Sequence, residues 1–234
     1  MGERRRAVSE KAYLHSDLRF LGVGVPKIRE ATIEMDRRHG VWTRAELRRV
    51  VDAAWSRPEH ELRVVAIELL VRHVDLLSPA DLPWLERLLR SSHTWAYIDA
   101  LAVDVVGPVV ERSRDADRLL ERWSTDPDFW VRRSALLALL GPLRRGPARF
   151  DAFARLAGSM VTDTEFFIRK AIGWILRDVG KRRPELTYRF LRVHRRSVSG
   201  LTLREGARYL PLPMRRRLGL SGVGGRPDRR SRPG

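Results

Sequence analysis

Apolar residues recur three and four positions apart along most of the chain, and Pro, Gly, Asp and Ser interrupt them roughly every 12 to 20 residues. That spacing marks one face of an α-helix. It predicts helices over roughly 26–39, 43–55, 59–73, 81–91, 95–112, 115–124, 128–140, 148–158, 164–180, 184–196 and 200–209. The breakers "SPADLP" (78–83), "TDPD" (125–128), "GPLRRGP" (141–147) and "KRRPE" (181–185) stand where helices should end. No stretch keeps the two-residue alternation of a half-buried strand. Links this short make consecutive helices antiparallel neighbours, and a long series of such pairs stacks into a solenoid rather than a closed bundle.

"RVVAIELLVRH" (63–73), "VRRSALLALLG" (131–141) and "IRKAIGWILRDVG" (168–180) echo one another, with basic residues followed by Ala, Ile and Leu. They read as successive inner helices of degenerate HEAT-like repeats of about 35 to 45 residues. The expected architecture is all-α: a right-handed superhelix of antiparallel helix pairs with a concave basic face. One such domain would occupy 1–210, with a disordered basic tail over 211–234, which is rich in Arg, Gly and Pro.

Composition narrows the partners. Of 234 residues, 46 are Lys or Arg against 29 Asp or Glu, a formal charge of +17, which favours a polyanion. Only four of the 46 are lysine. The chain has no cysteine, so disulfides and thiolate metal sites are excluded. No apolar run is long enough to span a bilayer and "MGERRRAVSE" lacks the core of a signal peptide, so a cytoplasmic protein is expected. No cofactor and no metal is expected: the six histidines show no HExxH or other ligand spacing.

At about 100° per residue, three helices carry unusual residues. In 164–180 the core stripe is Ile168, Ile172, Ile175 and Val179, while Trp174 falls about 130° away, beside Phe167 and close to Lys170. An indole among cations can stack on a base or sugar, or it can pack against another helix. In 95–112 the stripe is Ile98, Leu101, Ala102, Val105 and Val109, and Trp95 and Asp99 project together on a neighbouring arc with Val103, Val106 and Val110. A carboxylate on an apolar face costs free energy unless it is paired. It therefore either meets an arginine or a helix end, or receives a cationic ligand group. In 128–140 Arg133 lies inside an apolar arc, where it can make an ion pair or reach a phosphate.

These segments resemble the AlkD-type DNA alkylation-repair glycosylases, which are built from HEAT-like repeats. "KAYLHSDLRFLGVGVPKIRE" (11–30), "ELRVVAIELLVRH" (61–73), "HTWAYID" (93–99), "FWVRRSAL" (129–136) and "EFFIRKAIGWILRD" (165–178) carry the resemblance over roughly 11–205. It implies Asp99 as the catalytic carboxylate, Trp95 and Trp174 against the damaged nucleotide, Arg133 on backbone phosphate and Tyr13 near the same cleft, with Phe167 and Lys170 beside Trp174. It implies a monomeric, monofunctional hydrolase that releases cationic N3- and N7-alkylated purines from double-stranded DNA in base excision repair, without flipping the lesion into a tight pocket. Thr94 and Ala96 depart from the family's pattern, which leaves room for bulkier adducts. The alternatives are a glycosylase for bulky alkyl adducts and a non-catalytic module that binds DNA or RNA through phosphates alone. A protein-binding solenoid is disfavoured by the charge.

Overall fold

Local signals in the sequence start the helices. Thr43 accepts a hydrogen bond from the Glu46 amide, and the Glu46 carboxylate accepts one from the Thr43 amide, a capping box that begins α3 (Arg44–Trp55). Asp128 caps α9 (Phe129–Leu137) through the Trp130 amide at 2.9 Å, and Ser199 caps α14 (Gly200–Gly206) through that of Thr202. The structure, a computed structural model, describes residues 3–220. Among these the chain is all-helical, with one isolated β-bridge between Arg19 and Glu59. The described residues divide into two compact units at the junction between Arg149 and Phe150.

The first unit runs α1 (Arg4–Leu14), α2 (Val25–His39), α3, α4 (His60–Arg72), α5 (Leu82–Arg90), α6 (Trp95–Ala100), α7 (Gly107–Glu111), α8 (Ala116–Ser124), α9 and α10 (Leu140–Arg145). Its core is formed by Leu47, Val51, Leu69, Leu70, Leu85, Leu89, Ile98, Leu101 and Leu136, all essentially inaccessible. Polar bonds link positions roughly one repeat apart. Arg72 bonds Asp36 across 36 residues, Arg44 bonds Asp81 across 37, and Arg90 bonds Asp126 across 36. The indoles of Trp84 and Trp123 donate to Asp52 and Glu86 across 32 and 37 residues. Four of these separations lie at the short end of the repeat length read from the sequence, and the Trp84–Asp52 one falls just below it.

The second unit contains α11 (Phe150–Ser159), α12 (Phe166–Gly180), α13 (Pro184–Val193), α14 and α15 (Leu212–Arg217). Helix α12 is its axis, packed by α13 and α14 around Ile168, Ile172, Ile175, Leu176 and Leu191. A Cβ on Gly173 would stand 2.8 Å from that of Glu205, so glycine here lets α14 approach α12 closely.

Three helices differ from expectation. Helix α1 buries no side chain, so it carries no apolar periodicity to read. The segment expected to be continuous over 128–140 ends at Leu137, and "GPLRRGP", read as a breaker, contributes α10: Pro142 stands in its first turn, where a missing amide costs nothing. Of the expected tail, 211–220 holds α15, with Leu218 buried and its carbonyl accepting from Arg195 Nε at 2.7 Å; the rest lies outside the described residues.

The segment expected as one helix over 95–112 is continuous but changes register. Between α6 and α7, residues Leu101–Val106 form a π-turn, closed by the Gly107 amide on the Ala102 carbonyl. Pro108 explains this: in α register its ring would clash with the carbonyl four residues back, and the wider turn relieves the clash. Gly107 is fixed by proximity, since a Cβ there would lie 2.9 Å from the Ala138 carbonyl oxygen. The added residue rotates everything after it, so Val103, Val106 and Val110, which share an arc with Asp99 by simple counting, are buried.

Candidate functional site

Helix α6 presents Trp95 and Asp99 one turn apart on one face, both partly exposed. Thr94 at its N-cap accepts from the Ala96 amide at 3.5 Å and is buried, whereas Ala96 is partly exposed. Of the two departures from the family pattern, therefore, only Ala96 reaches the surface appreciably. The preceding residue, His93, takes a left-handed conformation with φ 52° and turns the chain from α5 into α6.

Arg133, projecting from α9, meets Asp99 in a two-pronged pair: Nε to Oδ1 at 2.8 Å and Nη2 to Oδ2 at 2.9 Å. This geometry fixes the carboxylate plane. The pair is inverted relative to three other pairs of the unit that link positions about one repeat apart. In those, the arginine lies toward solvent and the acid inside: Arg44, Arg72 and Arg90 are 37–42% exposed against 0–12% for Asp81, Asp36 and Asp126. Here the arginine side chain is 3% exposed and the acid 21%. The resemblance implied a phosphate contact for Arg133; in this structure its guanidinium is turned inward to Asp99.

Tyr13, near the end of α1, stands perpendicular to Trp95 with ring centroids 6.0 Å apart and is largely exposed. Four of the residues singled out from sequence, Tyr13, Trp95, Asp99 and Arg133, thus come together in the first unit. The other three, Phe167, Lys170 and Trp174, share one face of α12 in the second unit, all partly exposed. Phe166 and Phe167 meet edge to face. Lys170 lies 3.5 Å from Glu205, which also accepts from Arg177 at 2.7 Å; this acid beside the basic face went unremarked in the sequence.

Behind α6 lies a polar layer that sequence reading missed. Tyr97 is buried and its hydroxyl lies 2.5 Å from His60 Nδ1. Phe20 stacks on His60. Burial pushes the Tyr97 phenol well above, and the His60 imidazole below, their ordinary ranges. The neighbouring Glu61 carboxylate accepts the amides of Leu21, Gly22 and Val23 at 2.7–3.2 Å, tying the loop after α1 to α4. The sequence signal was only that "EHEL" and "WAYID" place polar groups at core-facing positions.

Residues 1–210 match the model of a family described as DNA alkylation repair enzyme. Among solved structures, a predicted DNA alkylation repair enzyme from Enterococcus faecalis superposes with a TM-score of 0.81 at 24% identity, covering 91% of this chain and 98% of that one. AlkD2 from Streptococcus mutans superposes with a TM-score of 0.63 at 15% identity, covering 87% and 99%. No curated protein matches the sequence. No helix among the described residues is long and apolar enough to cross a membrane.

Proposed function

The chain belongs to the DNA alkylation repair enzyme family, and from that premise we propose that it is a monofunctional DNA glycosylase that hydrolyses the N-glycosidic bond of cationic N3- and N7-alkylated purines in duplex DNA. The observation that carries the reading is the inverted pair: Arg133 is buried and orients the carboxylate, while Asp99 is left partly open to solvent beside a partly exposed indole. A pair serving stability alone gains nothing from that arrangement, whereas a carboxylate held rigidly at a surface is what a developing cation requires.

An alkylated purine already carries positive charge and leaves readily, so scission needs little general-acid help. Breaking the bond moves that charge onto the deoxyribose, which becomes oxocarbenium-like. Asp99 stabilises it and positions the attacking water, as carboxylates do in glycoside hydrolysis. Trp95 attracts the cationic lesion through a face of its ring, with Tyr13 packed perpendicular to the indole. On α12, Trp174 and Phe167 offer stacking surfaces and Lys170 a charge for the DNA backbone. The site is open enough that the lesion need not leave the stack for a tight pocket.

The test is release of free base from duplex DNA containing N7-methylguanine or N3-methyladenine. Release above the spontaneous rate is expected. DNA binding with no release would leave a non-catalytic damage binder.

A further inference from the structure

We propose that Arg63 is a docking point for a backbone phosphate of the DNA, a site separate from Asp99 and its partners; the DNA partner rests on the functional reading above. Arg63 lies one turn into α4, with its guanidinium carbon 5.1 Å from the centre of the Trp55 ring and 6.0 Å from that of Tyr97. The plane is held in place: Nη1 donates to the Ser91 carbonyl at 2.8 Å, and Trp55 Nε1 donates to the Ser91 hydroxyl at 2.9 Å.

What the residue lacks is an anion. Arg44, Arg72, Arg90, Arg133 and Arg177 each meet a carboxylate. Among the described residues none pairs with Arg63, although the side chain is half-buried, and its Nε is buried with no hydrogen-bond partner. Its Nη2 makes no hydrogen bond and is not among the buried atoms, so it faces solvent. Burial pushes the guanidinium below its ordinary range, a cost that an incoming anion would offset.

Location selects the anion. Ser91, which Arg63 grips, ends α5, and four residues later Trp95 opens the face that carries Asp99. A chain that lays its backbone along this turn places a phosphodiester oxygen within reach of Nη2. The planar guanidinium, already stacked and bonded on one edge, has little entropy left to lose on binding it.

The experiment measures affinity for an undamaged duplex as a function of salt, so it does not depend on base release. Each phosphate neutralised contributes about 0.9 to the slope of log K against log salt. Arg63→Gln should lower the slope by about 0.9, shrinking the affinity lost between roughly 50 and 200 mM salt by about 3.5-fold. Arg63→Lys, which keeps the charge, should hold most of the slope. A second measurement needs no variant: the ¹⁵N resonance of Arg63 Nε should move on titration with the duplex and saturate with it. An unchanged slope in Arg63→Gln, or a resonance unmoved by saturating duplex, overturns the site while leaving the glycosylase reading standing. A resonance moved by inorganic phosphate at duplex concentrations would assign the site to a free anion instead. Duplex binding without base release would sink the glycosylase reading and leave this one intact.

Discussion

Asp99→Asn isolates the charge of the carboxylate while keeping its size. In the ground state the positive charge sits on the purine, at about 6.5 Å from the carboxylate if the sugar lies at about 4 Å; scission moves it to the sugar. At an effective dielectric of about 20, attraction to Asp99 rises from about 2.6 to about 4.2 kcal/mol, so the carboxylate lowers the barrier by about 1.6 kcal/mol. Asn should therefore slow the chemical step about 15-fold. Arg133 lies behind Asp99, about 3 Å further from the sugar, and opposes the same charge movement by about 0.6 kcal/mol. The double variant Asp99→Asn, Arg133→Gln should consequently react about threefold faster than Asp99→Asn alone. The assay is single-turnover release of N7-methylguanine from a duplex at saturating enzyme. It should run well below the unfolding transition, because the buried Arg133 guanidinium loses one of its acceptors in the single variant, costing about 1–3 kcal/mol. A rate for Asp99→Asn within twofold of the parent would refute the role given to the carboxylate.

Three further outcomes follow from the geometry. Arg133→Gln should slow base release, because losing the two bonds that orient the Asp99 carboxylate outweighs removing the opposing charge, yet leave the salt slope of DNA binding unchanged, because the side chain is buried; a slope lower by about 0.9 would place it on a phosphate. Gly107→Ala should destabilise the first unit by about 1–3 kcal/mol, read as a lower thermal midpoint, since its Cβ would meet the Ala138 carbonyl oxygen at 2.9 Å and backbone cannot step aside cheaply; an unchanged midpoint would show that the π-turn has slack. Burial holds His60 below its ordinary range, with Arg63 adding to the effect and Glu61 and Glu10 opposing it, and the Tyr97 hydroxyl bonds its Nδ1. The unfolded imidazole takes up a proton first as pH falls through about 6.5, so stability should be full above that pH and decline below it by up to about 1.4 kcal/mol per unit; His60→Gln should flatten the decline, and an equal decline in both proteins would remove His60 as its source.

Much of this was legible from the spacing of apolar residues, because helices that bury one face announce it. What escaped is what periodicity does not encode. Helix α1 has no buried face. The proline of "GPLRRGP" starts a helix in this chain because its position relative to the first turn, and not its presence, decides the outcome. The π-turn after α6 shifted the phase of Val103 and Val106, which counting by 100° placed beside Asp99. At the candidate site the two open readings of Asp99, a structural pair or a ligand-facing carboxylate, prove not to exclude each other: it is paired to Arg133 and still exposed. Arg63 was invisible as a candidate because one more arginine in so basic a chain carries no signal until its neighbours are known.

The contrast between these two arginines shows how the repeat supplies a site. Contacts between successive repeats place residues 32 to 37 apart against each other, and Asp99 and Arg133, 34 apart, obey the same rule. Their pair is thus one contact of the series that holds the unit together, with the two sides exchanged: the arginine takes the inner position, where its stem packs among apolar residues, and the acid takes the outer one. Exchanging them turns a contact that stabilises the fold into a fixed negative charge facing solvent, at no cost in new backbone. Among the described residues no acid pairs with Arg63, and the cation keeps an open edge. A carboxylate that faces outward and a cation without an anionic partner are complementary to a nucleotide in opposite ways, the first to the positive charge that passes from the base to the sugar, the second to the phosphate that remains.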